Sequence, residues 1–282
     1  MSYVDSGKML LDAQHGQYAI GAFNVENMEM VKAVIAAAEE LYAPVMLQTT
    51  PSTVKYGTLE TFAAIVKAEA IKAKIPVALH LDHGNSFELV ARAIREGYTS
   101  VMIDGSHESF ERNIELSAKV VEVAKPNGIP VEAELGRVGG KEDDLIMEED
   151  IYTDPIQAKE FVERTGINSL AVAIGTAHGF YKSTPVLNKK RLSEIREYVS
   201  IPLVLHGASG LSDEDIRDCI KLGICKVNFA TELRAAYTEG IKEYLNERPD
   251  AYDPKSYGKA AMDKVKELVK SRILICGCDN KA

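Results

Sequence analysis

Pro76-Val-Ala-Leu-His-Leu-Asp-His83 is a nearly continuous apolar, β-rich run that ends in histidine and is followed by Gly84. The pattern recurs twice. Ser169-Leu-Ala-Val-Ala-Ile-Gly-Thr-Ala-His178 is followed by Gly179, and Ile201-Pro-Leu-Val-Leu-His206 by Gly207. Runs that are apolar throughout suit strands buried on both faces, and such strands belong to parallel sheets. A strand that ends in His-Gly presents an imidazole at its carboxyl end, beside backbone that a ligand can approach closely. Three such ends, gathered by a closed sheet, would make a three-imidazole metal site with an open position. That donor set belongs to a catalytic Zn²⁺ rather than a structural one. The plainer alternative is three unrelated histidines satisfied by local hydrogen bonds, and it must explain the same context three times.

β-rich runs also occupy 18–25, 44–50, 100–105, 131–136 and 226–231, alongside 77–83, 169–174 and 201–207. Helical patterns lie between them. In 26–42 the apolar positions Val31, Val34, Ile35, Ala38 and Leu41 follow a 3.6-residue period. Asp154-Pro155 reads as an N-cap followed by proline at the first helical position. Ser212-Asp-Glu-Asp215 resembles a capping box. Eight β–α units in about 240 residues fit a (β/α)₈ TIM barrel. An open doubly wound sheet is the competitor, but no G-x-G-x-x-G fingerprint follows the first run. The expectation is one α/β domain over 1–282, with 246–282 a C-terminal helical tail whose helix covers about 256–274. That helix would cover the barrel or pack on a partner subunit.

The chain of 282 residues is 46% hydrophobic, enough for a full core, and carries a formal charge of -9. It has no Lys/Arg cluster with interleaved aromatics, which argues against nucleic acid. No apolar run approaches the ~18 residues that span a bilayer. Cys219, Cys225, Cys276 and Cys278 lack the spacing of a zinc knuckle or a redox pair. They read as free thiols of a reducing compartment, and no secretory signal is visible, so the expected location is the cytoplasm.

In such a barrel, chemistry collects where the strands end. Those ends read Asn24, Ser52, Asp82-His83, Asp104, Glu134, His178-Gly179, His206-Gly207-Ala208-Ser209 and Asn228-Phe229-Ala230-Thr231. Burying so many polar groups is costly unless they pair with each other or with a ligand. Asp82 is placed to exchange a proton with a substrate. Its alternative role is to cap a helix near Ser86. Neighbours on a strand face opposite ways, so Asp82 and His83 share one site only if the chain turns, and Gly84 would allow that turn. Asp104 and Glu134 offer oxygens for a second cation position or for the surround of the zinc, or they form structural salt bridges. The segments Gly207–Gly210 and 228–231, each before a helix, suit a phosphate. His80 and His15 read as structural, and His107 remains open. The glycine-rich, charged stretch Glu134-Leu-Gly-Arg-Val-Gly-Gly-Lys-Glu142-Asp-Asp144 is either a lid that carries a carboxylate or an ordinary exposed loop.

These residues resemble the class II, zinc-dependent ketose-bisphosphate aldolases. The matching segments are Leu79–Gly84, Ser100–His107, Val131–Gly136, Gly139-Gly140 with Glu142-Asp143-Asp144, Ala173–Gly179, Leu203–Ser209 and Lys226–Glu232, and they span most of the chain. Thr50-Pro51, Ala173-Ile-Gly-Thr-Ala177 and Asn228-Phe-Ala-Thr-Glu232 look more like the tagatose-1,6-bisphosphate branch than the fructose branch.

The resemblance implies that His83, His178 and His206 bind Zn²⁺, with Asp104 and Glu134 as an alternative metal position. Asp82 would give a proton to the C4 oxygen during cleavage and take it back during condensation. Glu142 would handle the proton on the three-carbon fragment. Gly179, Lys182, Gly207, Ser209, Asn228 and Thr231 would hold dihydroxyacetone phosphate, Ala208, Phe229 and Ala230 would be further substrate-binding positions, and Asn24 and Ser52 would face the substrate, Ser52 near the far phosphate. A monovalent cation, Na⁺ or K⁺, would sit near the phosphate.

The resemblance further implies a phosphosugar substrate and a homodimer or homotetramer, with an accessory subunit as an added partner. Two positions depart from the family pattern. Ala230 stands where many fructose-type members carry Asp. Lys259 stands near an Arg that reaches the far phosphate from a partner subunit, and it keeps the charge without the bidentate fork. The implied reaction is reversible cleavage of D-tagatose 1,6-bisphosphate, with fructose 1,6-bisphosphate as the alternative. Rival readings are a Schiff-base aldolase using Lys182, a zinc hydrolase using Asp82, and a non-catalytic accessory subunit.

Overall fold

The computed structural model describes residues 2–142, 145–147, 152–179, 181 and 185–282. Eight parallel strands close into a barrel: β1 (Ile20–Asn24), β2 (Val45–Thr49), β3 (Val77–Gly84), β4 (Ser100–Ile103), β5 (Val131–Leu135), β6 (Ser169–Val172), β7 (Leu203–Leu205) and β8 (Ile224–Phe229). They stand in chain order around the ring, and β8 returns to β1 through Ile20↔Lys226 to Phe23↔Phe229. This is the α/β TIM-barrel fold expected from the repeating units. Every strand residue is buried, which explains why the runs read as continuously apolar.

The helices are α1 (Ser6–Gly16), α2 (Met28–Glu40), α3 (Pro51–Gly57), α4 (Leu59–Ala70), α5 (Phe87–Arg95), α6 (Phe110–Ala124), α7 (Pro155–Thr165), α8 (Lys189–Tyr198), α9 (Asp213–Lys221), α10 (Thr231–Glu247) and α11 (Pro254–Cys276). In α2 the residues Val31, Val34, Ile35 and Ala38 are buried against the barrel, as their spacing requires. Asp154 accepts from the backbone N–H groups of Ile156 and Gln157 and caps α7, with Pro155 at the first position. Ser212 caps α9 by accepting from the Asp215 N–H. Among the described residues no helix is long and apolar enough to cross a membrane.

The tail helix α11 begins and ends two residues outside the expected 256–274. It lies along α10 and α2 on the flank of the barrel and does not cover its mouth. Gly240 of α10 allows this packing: a Cβ there would stand 2.7 Å from the Cα of Ala261. Ala261, Val265, Val269 and Ile273 form the stripe that α11 buries.

Two features were not legible beforehand. The short helix α3 doubles the second unit. Above the barrel, Gly139–Glu142 pairs with Leu145–Met147 and with Ala177–His178 to form a small separate sheet. His178 therefore does not end a barrel strand. β6 stops at Val172, and the chain leaves the barrel through Gly175 in a left-handed conformation before pairing His178 with Gly140.

The barrel interior is polar where branched apolar residues are usual. Residues two apart on a strand share a face, and two tiers result. The lower tier holds His80, Ser100, Glu132 and Lys226, and the upper holds Asn24, Gln48, Asp82, Glu134, His206 and Asn228. All ten are buried. From α1, the Ser6 hydroxyl meets that of Ser100 at 2.8 Å and closes the lower end.

All four cysteines are free and buried. Burial pushes the Cys219 and Cys278 thiols up to about 12 and raises Cys225 and Cys276 as well. The thiolate is the reactive form, so the native protein is expected to resist labelling by a water-soluble disulfide reagent at pH 8, whereas denatured protein labels at all four. Rapid labelling of native protein would contradict this burial.

Candidate active site

A β-bulge builds the site. The pairing of β3 with β4 runs Leu81↔Val101 and then Gly84↔Ile103, so Asp82 and His83 together stand opposite Met102. His83 has φ +46°, a left-handed conformation that non-glycine residues rarely adopt, and it carries the turn. The expected turn at Gly84 is corrected accordingly: Gly84 does not have positive φ. Its role is clearance, because a Cβ there would lie 2.4 Å from the Met102 carbonyl oxygen. The bulge turns both neighbouring side chains toward one cleft.

Asp82 is 1% exposed and is held by three side-chain amides. Asn24 Nδ2 donates to Oδ2 at 2.9 Å, Gln48 Nε2 donates to the same oxygen at 3.3 Å, and Asn228 Nδ2 donates to Oδ1 at 3.1 Å. Gln48 also donates to Asn24 Oδ1 at 2.8 Å, which fixes the Asn24 amide. Asp82 therefore does not cap the next helix; Ser86 does, by accepting from Leu89 N–H.

The three histidines converge. The ring centroids of His83 lie 4.7 Å from His206 and 5.2 Å from His178, and those of His178 and His206 are 6.1 Å apart. One nitrogen from each lies within 4.8 Å of the others, and His83, Asp104 and Glu134 form a second such group. His83 Nδ1 meets Asp104 Oδ2 at 2.8 Å. Burial opposes the Asp104 charge, yet the His83 contact and the Ser106 N–H hold its carboxyl well below the usual range. His206 Nε2 meets Glu132 Oε1 at 2.9 Å. On its other side, Nδ1 lies 3.2 Å from Glu134 Oε2 without hydrogen-bond geometry, and neither atom has a hydrogen-bond partner among the described residues.

Burial would lower the His206 pKa, but the Glu132 and Glu134 carboxylates outweigh it and raise the pKa to about 9. The cluster thus attracts positive charge: three converging imidazoles stand among the carboxyls of Asp82, Asp104, Glu132 and Glu134. Histidine nitrogens with an unsatisfied, buried Nδ1 suit a borderline-soft divalent ion, so the residues present fit Zn²⁺.

An open cleft of about 440 Å³ lies over these residues, lined by Asn24, Thr50, Asp82, His178, Gly179, Gly207, Ser209, Asn228, Ala230, Thr231 and Arg234. Helix α10 starts at its edge. Ala230 is the N-cap and provides no side-chain cap, and Ala230 and Thr231 at the start of this 17-residue helix line the cleft. The Ser209 hydroxyl accepts from Ala230 N–H at 3.4 Å beside them. Gly207 has φ +65°, and a Cβ on it would lie 2.6 Å from the Ala177 carbonyl oxygen, so only glycine fits there.

Other expected residues lie elsewhere. Ala208 and Phe229 are buried and do not line the cleft; the Phe229 ring stacks on Phe23 with centroids 5.5 Å apart. Ser52 is exposed in the first turn of α3, and its neighbour Thr50 lines the cleft instead. Lys259 is exposed on α11, away from the cleft. Lys182 and the side chain of Glu142 lie outside the described residues. His80 is fully buried, with Nδ1 2.7 Å from Ser100 Oγ.

Gln48, Thr50, Arg234, Glu132 and Lys226 were missed. A glutamine, a glutamate and a lysine inside apolar strands were the available signal for three of them. Arg234 sits on the outer side of the cleft with Nε 2.7 Å from Glu26 Oε1.

The family model for class-II fructose-bisphosphate aldolases matches residues 4–281. The YdjI aldolase from Escherichia coli K12 is 41% identical with a TM-score of 0.88, covering 99% of each chain. A putative fructose-1,6-bisphosphate aldolase from Coccidioides immitis is 31% identical with a TM-score of 0.90, over 97% of this chain and 96% of that one. A fructose-bisphosphate aldolase from Campylobacter jejuni shares the fold, with a TM-score of 0.86 at 24% identity over 100% of this chain and 97% of that one. The match over nearly the whole length, on a barrel whose mouth gathers these histidines and carboxylates, places this chain in the class-II fructose-bisphosphate aldolase family.

Proposed function

We propose that this protein is a zinc-dependent ketose-1,6-bisphosphate aldolase that reversibly cleaves D-tagatose 1,6-bisphosphate into dihydroxyacetone phosphate and glyceraldehyde 3-phosphate. The observation that carries the reading is the convergence of His83, His178 and His206 beside a cleft that His178 and Asp82 line together with the start of α10. Zn²⁺ held by the three histidines would act as a Lewis acid on the ketose carbonyl and so stabilise the C3–C4 bonding pair as it is left on C3. The N–H groups at the start of α10, with Ser209 and Thr231, would take the phosphate of the three-carbon half. That remote grip orients the reacting carbons. Gly179, Gly207 and Asn228 complete this end of the cleft, and a Na⁺ or K⁺ ion near the phosphate would offset its charge.

Proton balance assigns Asp82. When C3–C4 breaks, C4 becomes an aldehyde carbon, so its hydroxyl must lose a proton. Asp82 therefore takes the C4 hydroxyl proton in cleavage and returns it in condensation. This reverses the direction expected from the resemblance. Asn24, Gln48 and Asn228 each donate to the Asp82 carboxylate and fix its position. Glu142 would return a proton to C3 of the three-carbon fragment. A homodimer or homotetramer working in the cytoplasm, with Lys259 of a neighbouring copy near the far phosphate, completes the reading.

The branch assignment rests on segments 173–177 and 228–232 with Ala230. The two sugars differ in the hand of one hydroxyl, which is worth only ~1–3 kcal/mol. We expect kcat/KM for the tagatose ester at least equal to that for the fructose ester on zinc-loaded protein. A value for the fructose ester more than about tenfold higher, ~1.4 kcal/mol of transition-state preference, would move the chain to the fructose branch. An inactive, zinc-free protein that stimulates another aldolase would instead make it an accessory subunit. Borohydride trapping of substrate on lysine would support a Schiff-base enzyme.

A further inference from the structure

The lower tier of the barrel is sealed from the cleft, yet it carries a full ion pair. Lys226 Nζ lies 2.9 Å from Glu132 Oε2, and the two side chains are 0% and 1% exposed. Taking both charges out of water is expensive, and apolar side chains of the same volume would avoid that cost. The other Glu132 oxygen shows what the pair serves, since Oε1 lies 2.9 Å from His206 Nε2. An imidazole whose Nε2–H is donated to a carboxylate must offer Nδ1 on its opposite edge. On that edge Nδ1 lies 3.2 Å from Glu134 Oε2, and Glu134 belongs with His83 and Asp104 to the second group of converging ligand atoms.

His83 is held the other way round, with Asp104 at its Nδ1. Lys226 keeps the two Glu132 oxygens apart in role, one to the lysine and one to the histidine. His80 walls the remaining side, with Nε2 3.8 Å from Glu132 Oε2 and Nδ1 tied to Ser100.

We propose that Glu132, held in place by Lys226, is a positioning residue that locks His206 with Nε2–H turned inward and Nδ1 turned to the metal, and so sets the affinity for the divalent ion. The proposal rests on the three-histidine reading above. Glu132 touches no substrate. Its effect passes through the orientation and basicity of His206, as carboxylates behind metal-binding histidines act. The pair spans the barrel between β5 and β8, so the register of these distant strands decides it.

The test uses the whole chain. Glu132→Leu combined with Lys226→Met removes both charges together, which leaves no unpaired ion in the core. Zinc affinity, read by chelator competition, is expected to fall about 10–100-fold. The metal-free variant should still unfold cooperatively, at a melting temperature somewhat below the wild type because His206 Nε2–H loses its acceptor. Glu132→Gln with Lys226→Met keeps an acceptor for His206 and should recover part of the affinity. A folded Leu/Met variant that binds zinc within twofold of wild type would reduce the pair to a structural role and overturn the proposal.

Should the variants not fold, the wild type decides. In zinc-loaded protein with ¹⁵N-labelled histidine, His206 is expected to carry its proton on Nε2, and a proton on Nδ1 overturns the proposal. Wild-type protein that binds no divalent ion would defeat the metal reading together with this one. Equal binding by wild type and the Leu/Met variant defeats this one alone.

Discussion

Alanine at His178 should abolish most cleavage of ketose bisphosphate, by about 10³-fold or more, and strip zinc from the protein on dialysis. A Lewis acid at the carbonyl supplies several kcal/mol of transition-state stabilisation, and ~4 kcal/mol is about 10³ in rate. The same loss is expected for His83→Ala and His206→Ala, but the three are not equally clean. His206 lies between Glu132 and Glu134, fully buried, so its removal takes the partner from Glu134 and leaves Glu132 with Lys226 alone. Breaking a buried pair in this way costs roughly 3–5 kcal/mol of stability. His178 is half-buried on the small outer sheet, so its removal disturbs less of the packed interior. Metal content, activity and melting temperature should therefore be measured together. Chelation with EDTA should inactivate the wild type, and zinc should restore it. Active protein shown by metal analysis to hold no ion, or a triple-alanine variant that still cleaves substrate, would refute the metal assignment.

Asp82→Ala should cut cleavage by about 10²–10⁴-fold, the usual range for loss of a general acid–base group. Zinc content should remain close to wild type, because Asp82 lies outside both groups of converging ligand atoms. Exchange of the C3 proton of dihydroxyacetone phosphate should suffer less than cleavage, because that transfer belongs to Glu142 in this assignment. The split between the two reactions separates a proton carrier from a residue that merely shapes the cleft. A loss of zinc as large as in the histidine variants would make Asp82 a structural support of the metal site.

The amides around Asp82 show how far the sequence could be read. Asn24 and Asn228 are visible as polar residues closing apolar runs, and both reach the Asp82 carboxylate. Gln48 does the same from within its strand, where neighbouring apolar residues hid it. Thr50 was hidden by its neighbour: Ser52 carried the family resemblance, but the start of α3 turns Ser52 outward and leaves Thr50 at the cleft. Ala208 and Phe229 sit within the right segments, yet they point into packed interior. A segment can be assigned from its pattern, while the direction of each side chain depends on bulges and helix starts that the pattern does not encode.

The eight-unit barrel, its buried parallel strands, the caps of α7 and α9, and the gathering of histidines and carboxylates at one end are all legible in the sequence. These follow from local periodicity and from the rule that strand ends in a closed parallel barrel meet. Three features depend on contacts between distant parts of the chain. A bulge with left-handed His83 brings Asp82 and His83 to one side. His178 arrives on a separate sheet paired with Gly140. Glu132 and Lys226 meet beneath His206. The decisive contacts join residues far apart in sequence, 94 positions for Glu132 to Lys226 and 146 for Asp82 to Asn228. Barrel closure and strand register set those distances, and no local pattern carries either one.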